Sequence, residues 1–289
     1  MLELRDLRKR FGSTRAVDGL SLRAGAGEVF GLLGPNGAGK STTFSMLAGL
    51  LRPDGGEVLI GGEGGARPPT DRRARARLGL APQRLALYER LSGRENLLFF
   101  GRLRGLRGQG LRARVDELLE GVGLASRGDD ASGVYSGGMA RRLNLAIALV
   151  HRPPVVLLDE PTAGVDPHSR HAVHDLVRTA RGDGACVVLA THDMHEAQAL
   201  CDRVAVIDRG KALACGPVHE LIRDHGGRAV VTIERDRGDE PIETDDPLGV
   251  LAGIGVGTGA IEAGVLGVRV ERASLETVFL NLTGRSLRD

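Results

Sequence analysis

A chain of 289 residues, 42% of them hydrophobic, is long enough to bury a full core and suggests one large domain plus a small one. A formal net charge of only +2 and 3% aromatic residues give no overall pull toward nucleic acid and no stacking platform for single strands. Cysteines at 186, 201 and 215 lack C-x-x-C spacing, which excludes a disulfide framework and a zinc knuckle, and no apolar run approaches the roughly 18 residues that span a bilayer. Met1 leads directly into Leu2, Glu3 and Leu4 without a signal-peptide pattern, so the expectation is a cytosolic protein.

The first eighty residues read as short strands separated by turns, at Leu2 to Leu7, Leu20 to Arg23, Glu28 to Leu33, Gly56 to Ile60 and Leu78 to Ala81. Between the third strand and a helical pattern from Thr43 to Leu51 lie Gly34, Pro35, Asn36, Gly37, Ala38, Gly39, Lys40, Ser41 and Thr42. This is G-x-x-x-x-G-K-[ST] in the strand, loop, helix context that the phosphate-binding loop requires. Lysine occurs only at 9, 40 and 211 in a chain that otherwise takes its positive charge from arginine. A compact ammonium can fold over a small loop and touch two phosphates, which a wide planar guanidinium cannot. The glycines let backbone N–H groups turn inward, the helix adds its positive end, and Ser41 offers a hydroxyl to Mg²⁺.

Arginines cluster at 72, 73, 75 and 77 and again from Arg102 to Arg114; they read as solvated helical faces, with anionic lipid headgroups as the alternative. Gln83 follows a strand and can ligate Mg²⁺ or hold a water. From about 85 to 150 the apolar residues fall at helical spacing, so this segment is expected to be an all-helical insert. Within it Ser136, Gly137 and Gly138 precede an apolar helix from Ala140 to Val150. Ser136 can cap that helix and the glycines leave its N-terminus open, a second anion-binding surface.

Strands return at Val155 to Leu158, Cys186 to Ala190 and Val204 to Ile207, each apolar throughout and therefore buried on both faces of a mostly parallel sheet. Chemistry in such sheets gathers at the carboxyl ends of the strands. There stand Asp159, suited to orient Mg²⁺ through water, Glu160, suited to polarise an attacking water, and His192, suited to bond a terminal phosphate. His168, His171 and His174 drift around a helix and read as a solvated face. Residues 223 to 289 form a second region, with strands at Ala229 to Glu234 and Val265 to Val270, an acidic linker from Asp236 to Asp246, and a helix from Leu275 to Leu282 capped by Ser274.

Phe11, Gly34 to Thr42, Gln83, Ser136 to Gly138, Leu157 to Pro161, Ala163 to Asp166 and His192 occur in the order and spacing of an ATP-binding cassette (ABC) ATPase, which residues 1 to 222 resemble. The resemblance implies an α/β P-loop NTPase fold: a RecA-like core with a mostly parallel sheet, an antiparallel β subdomain and the inserted helices, followed here by the small α+β region. It implies ATP and Mg²⁺ as ligands, with Ser41, Gln83 and Asp159 toward the metal and Lys40, Gln83, Glu160 and His192 toward catalysis. Phe11 looks like the aromatic that stacks on adenine, Val17 like an apolar contact near the ribose, and Asp166 like part of a loop that communicates across a dimer. Two cassettes would sandwich ATP, with Ser136, Gly137 and Gly138 of one closing on the phosphate held by the other, and a homodimer is expected. Tyr135 and Met139 depart from the Leu and Gln common at these places; with Arg141, Arg142 and Leu143 they are similar to the daunorubicin-type drug-exporter branch, as is the ending from Ala273 to Arg288. That branch implies a subunit held at the cytoplasmic face of the membrane by a separate permease. The same residues also admit a lipid, ion or import system, or a cassette acting on ribosomes or DNA.

Overall fold

The computed structural model describes residues 1–62, 65–236, 238–256 and 264–284, the side chains of Pro167 and His168 excepted. The chain divides into two units, Met1–Gly216 and Pro217–Asp289.

In the first unit, β1 (Leu2–Phe11), β2 (Thr14–Ala24) and β4 (Gly55–Ile60) form an antiparallel sheet in the order β2-β1-β4. These strands outrun the apolar segments that announce them, because charged residues occupy their solvent face and pair across it, as Arg5 does with Glu57 at 3.1 Å. Between β2 and β4 run β3 (Val29–Leu33) and α1 (Lys40–Leu47). Next come α2 (Arg72–Ala76), β5 (Leu78–Ala81), α3 (Gly93–Leu103), α4 (Gly108–Gly121) and α5 (Gly137–Leu149). The unit closes with β6 (Val155–Asp159), α6 (Pro167–Gly182), β7 (Cys186–Thr191), α7 (Met194–Leu200), β8 (Arg203–Asp208) and β9 (Lys211–Pro217). The second sheet has six strands in the order β5-β6-β7-β3-β8-β9, and its first five are parallel.

One apolar core joins the two sheets through α1. Leu4, Leu22 and Val58 of the antiparallel sheet, Phe44 and Leu47 of α1, and Phe30, Leu157 and Val188 of the parallel sheet belong to a single buried cluster. The register of the parallel sheet matters most for function. Ala81 lies opposite Leu158, Asp159 opposite Ala190 and Leu33 opposite Thr191, so four adjacent strands end at nearly one level.

The helical insert is built around Asn96, which is fully buried. Its Oδ1 accepts from Tyr88 N at 2.9 Å, and its Nδ2 donates to Ser92 O at 2.9 Å, Tyr88 O at 3.1 Å and Ser132 Oγ at 3.2 Å. One amide thus ties α3 to the loop after β5 and to the turn before α5. Two further side chains, Arg141 and Asn144 of α5, hold the same loop from below: Arg141 Nη1 donates to Gln83 O at 2.7 Å and Asn144 Nδ2 to Pro82 O at 3.2 Å.

The second unit begins with α8 (Val218–His225), continues through β10 (Ala229–Arg235), β11 (Glu240–Thr244), α9 (Pro247–Gly253) and β12 (Val265–Glu271), and ends with α10 (Leu275–Thr283). Its sheet is antiparallel in the order β11-β10-β12. Val231, Ile233, Leu275, Val278 and Phe279 are buried. Ser274 caps α10 reciprocally with Thr277, and Asn281 Nδ2 reaches His225 O at 2.8 Å to tie α10 to α8. The segment read as an acidic linker instead contains β11, whose charged residues suit an edge strand with one ladder and one solvated side. Arg237 of that segment and Arg285 to Arg288 of the ending lie outside the described residues.

Replacing Asn96 by alanine leaves Tyr88 N–H unpaired inside the insert and removes one donor from the carbonyls of Tyr88, Leu91 and Ser92, which keep their backbone partners. The variant is expected to lose about 2–4 kcal/mol of stability, measured as a lower midpoint of denaturant unfolding.

Candidate functional site

β3 delivers the phosphate-binding loop and α1 begins at Lys40, three residues earlier than the apolar pattern suggests. The loop is folded so tightly that only glycine fits at two of its positions. A Cβ on Gly34 would lie 2.2 Å from Ile207 O, and one on Gly39, at φ 104°, would lie 2.3 Å from Ala16 O. Lys40 is buried and its Nζ donates to Gly34 O at 2.6 Å and Pro35 O at 3.0 Å, curled back over its own loop. Burial holds its ammonium below the usual lysine range, against the opposing pull of Glu160 and Asp159.

Beside it, β6 ends in Asp159, which is 8% exposed, and is followed by Glu160, which is 6% exposed. Burial, and then the neighbouring Glu160 charge, push the Asp159 carboxyl up to about 6, while Lys40 and Arg141 pull it down. Its Oδ1 is buried without a hydrogen-bond partner. Glu160 has φ 52°, a left-handed conformation that costs a non-glycine residue on the order of 1 kcal/mol. Its N–H is held by Ala190 O at 2.8 Å, and its Oε1 lies 2.9 Å from His192 Nδ1. A neutral His192 donating from Nδ1 leaves Nε2 bare; a protonated one also presents Nε2–H to a phosphate oxygen. The turn that strains Glu160 is pinned from beneath: Thr162 Oγ1 donates to the buried Glu196 Oε1 at 2.7 Å. Arg170 adds a second tie, with Nη1 3.2 Å from Asp193 Oδ2 and Nε donating to Val165 O at 3.3 Å.

A cleft of about 360 Å³ gathers Pro35, Asn36, Gly37, Gly39, Lys40, Ser41, Thr42, Gln83 and Glu160, with Thr14, Arg15, Ala16 and Arg209 completing its wall. Arg15, Ala16 and Arg209 were not read from the sequence. The strand-end rule, applied to β8 as to its neighbours, reaches Arg209. Nothing in the local sequence marks Arg15 or Ala16, which a hairpin of the other sheet brings in. Phe11, 52% exposed, lies opposite Thr14 in the β1–β2 ladder, at the rim, with Lys9 Nζ 5.7 Å from its ring centre. Val17 is 2% exposed and belongs to the core cluster, while its neighbour Ala16 lines the cleft.

Ser136 accepts from Met139 N at 3.3 Å as the cap of α5, which begins at Gly137. Gly137 is exposed, and a Cβ there would meet nothing within 4 Å. None of Ser136, Gly137 and Gly138 lines the cleft. Asp166 caps α6 through Ser169 N at 2.9 Å, and a Cβ on Gly138 would come within 3.5 Å of its Oδ2. Tyr135 donates to Arg127 O at 2.7 Å, and a Cβ on Gly93 would sit 2.4 Å from its hydroxyl oxygen. Its departure from leucine is therefore a structural strut. His171 and His174 have ring centres 6.5 Å apart, and among the described residues no three His, Cys, Asp or Glu side chains are grouped to hold a metal ion; the His168 side chain lies outside those residues.

Comparison with known proteins accords with this geometry. The family described as ABC transporter matches residues 17–163. A linearmycin resistance ATP-binding protein of Bacillus subtilis is 36% identical over 100% of both chains. A Nod factor export ATP-binding protein of Burkholderia lata is 42% identical over 100% of this chain and 98% of its own. A daunorubicin resistance ATP-binding protein of Streptomyces coeruleorubidus is 41% identical over 97% of this chain and 95% of its own. Among solved structures, an ATP-binding subunit of an ABC transporter superposes with a TM-score of 0.71 at 28% identity, covering 78% of this chain and 93% of that one. The dimeric structure of MJ0796, a bacterial ABC transporter cassette, gives 0.67 at 25% identity over 75% and 98%.

The buried Asp159 has a definite consequence for pH. Its carboxyl titrates near 6 when folded and near 3.8 when unfolded, so the folded chain holds the extra proton between those values. Stability from this group is present below about pH 4 and is lost as pH rises through 6. Without nucleotide or metal, Asp159→Asn should be more stable than the parent at pH 7.5 by about 2–3 kcal/mol, and the advantage should vanish near pH 4. Thermal unfolding of both proteins across that range checks it.

Proposed function

The chain belongs to the ABC transporter family of ATP-binding subunits, and from that membership we propose that it hydrolyses ATP to drive an exporter. In this reading, closure of two cassettes is coupled to efflux of a hydrophobic or amphipathic compound through a separate membrane permease. The export reading is carried by coverage. The relatives named for linearmycin resistance, Nod factor export and daunorubicin resistance align with both units of the chain, whereas the two solved cassettes cover about three quarters of it.

The residues take the following parts. Backbone N–H groups from Gly34 to Thr42 cradle the phosphates, and Lys40 exchanges its two loop carbonyls for phosphate oxygens. The unpartnered Asp159 oxygen, the exposed Ser41 hydroxyl and the Gln83 side chain suit Mg²⁺, a hard cation that takes oxygen ligands and often keeps water between itself and a carboxylate. Bound there, Mg²⁺ would neutralise charge on the terminal phosphates. Glu160 polarises the attacking water, with His192 fixing its carboxylate. Phe11 stacks on adenine at the rim, and Ala16 with Val17 behind it forms the apolar side of the ribose pocket. Ser136, Gly137 and Gly138 lie outside the cleft of their own chain and close on the phosphate held by a second copy. Asp166, beside Gly138, reports that closure. The homodimer is held to the cytoplasmic face of the membrane by the permease, which engages the helical insert around Gln83.

Two substitutions separate these parts. Glu160→Gln should lower ATP turnover by about 10²–10⁴-fold and accumulate an ATP-bound dimer, read by single-turnover kinetics and size-exclusion chromatography. Gly137→Ala fits the isolated chain without a contact, so folding and nucleotide binding by the monomer should be unchanged while turnover falls at least tenfold. Unchanged turnover in Gly137→Ala would remove the cross-subunit role.

A further inference from the structure

One surface is built from residues that the nucleotide site does not use. Between residues 66 and 115 the chain carries thirteen arginines against three carboxylates, Asp71, Glu89 and Glu95, although its whole-chain balance is only +2. Arg67, Arg94 and Arg114 are ion-paired, with Asp71, with Asp116 and Asp129, and with Glu117. Arg72, Arg73, Arg75, Arg102, Arg104 and Arg107 are exposed and have no ion-pair partner among the described residues.

Three of them lie on α2 and three follow in the end of α3 and the turn after it, and one contact joins the two segments. Arg104 Nη1 donates to the backbone carbonyl of Arg75 at 3.2 Å, which sets the residue that ends α3 against the last turn of α2. Arg75 itself is braced by a bond from Nη2 to Thr70 O at 2.9 Å. Between Arg102 and Arg104, Leu103 projects with 70% of its surface exposed. The positive field extends inward: His151 is pushed down to about 4, first by burial and then by Arg104.

Gathering like charges without counter-charges costs a folded chain stability, and a face meant for solvent alone intersperses the two signs. Guanidinium forks match phosphate oxygens, and an aliphatic side chain set among cations suits the boundary between headgroups and acyl chains. A nucleic acid has no use for Leu103, and the exposed Phe99, one turn before it, packs edge-on against Tyr88 and Phe100.

We infer that the face formed by α2, the end of α3 and the turn through Arg107 rests on anionic lipid headgroups of the bilayer, as a contact separate from any permease. The contact depends on neither the cargo nor the direction of transport, and it concerns residues outside the ATP site.

The full 289-residue chain, sedimented with vesicles of phosphatidylcholine alone or with one-third phosphatidylglycerol, tests it. Binding is expected only to the anionic vesicles and is lost at high salt. The variant R73Q/R75Q/R102Q/R107Q should partition about 10³-fold more weakly, and Leu103→Ser should weaken binding further. Both should keep the parent's circular dichroism and ATP turnover in solution. Equal binding to neutral vesicles, undiminished binding by the quadruple variant, or binding only where the permease has been reconstituted would each overturn the inference. Retention on duplex DNA without vesicle binding would do so as well.

Discussion

Four parallel strands that end at one level are the constraint on which the rest of this chain depends. β5, β6, β7 and β3 are neighbours in the sheet, and their backbone ladders fix the ends of adjacent strands one strand spacing apart, about 5 Å. Gln83, the Asp159 and Glu160 pair, His192 and the phosphate-binding loop are each the residues that follow such an end. None of them has to be brought in by a long excursion. A one-residue slip of β6 would exchange the directions of Asp159 and Glu160, so the ladders that fix its register on both sides also fix the chemistry.

What the register alone does not supply is orientation, and a set of buried polar contacts supplies it. Glu160 occupies a left-handed conformation and would relax if its turn were free. The bond from Thr162 to Glu196, the grip of Ala190 O on Glu160 N, and the ties of Arg170 to Val165 and Asp193 hold that turn against both neighbouring loops. Arg141 serves the other side. It grips the Gln83 carbonyl, and its charge also acts on Asp159 and Glu160. The helix that begins with Ser136, Gly137 and Gly138 therefore carries, one turn later, a side chain fixed to the Gln83 loop.

The distinction between level and orientation explains what could be read from the sequence. Apolar runs followed by polar residues disclose strand ends, so the phosphate loop, Gln83, Asp159, Glu160 and His192 were legible before any coordinates. Asn96, Asn144, Thr162 and Glu196 were not, because a lone polar residue in a helical or turn pattern looks the same whether it is solvated or buried. Only the fold shows that Asn96 is fully buried with its amide satisfied. The burial of Val17 was hidden for a related reason: strand direction decides which of Ala16 and Val17 turns outward, and it is Ala16 that lines the cleft. β11 was hidden because an edge strand needs only one ladder and little apolar surface, so its charges resemble a linker.

On the proposed reading, one chain holds two incomplete anion sites. Lys40 spends its ammonium on Gly34 and Pro35 carbonyls, and Asp159 keeps a buried oxygen with no partner, so the cleft is preorganised for phosphate and cation at some cost to the isolated fold. The Ser136 turn is the reverse case, since it is capped, exposed and unstrained, and gains nothing from its own cleft. A cleft lined by the phosphate-binding loop and an exposed helix N-terminus would on that reading be complementary. Within a single chain neither can relieve the other, because the Ser136 turn lies outside the cleft. Two copies arranged head to tail would satisfy both at once, and Arg141 would then carry the news of that closure to the Gln83 loop of the same chain.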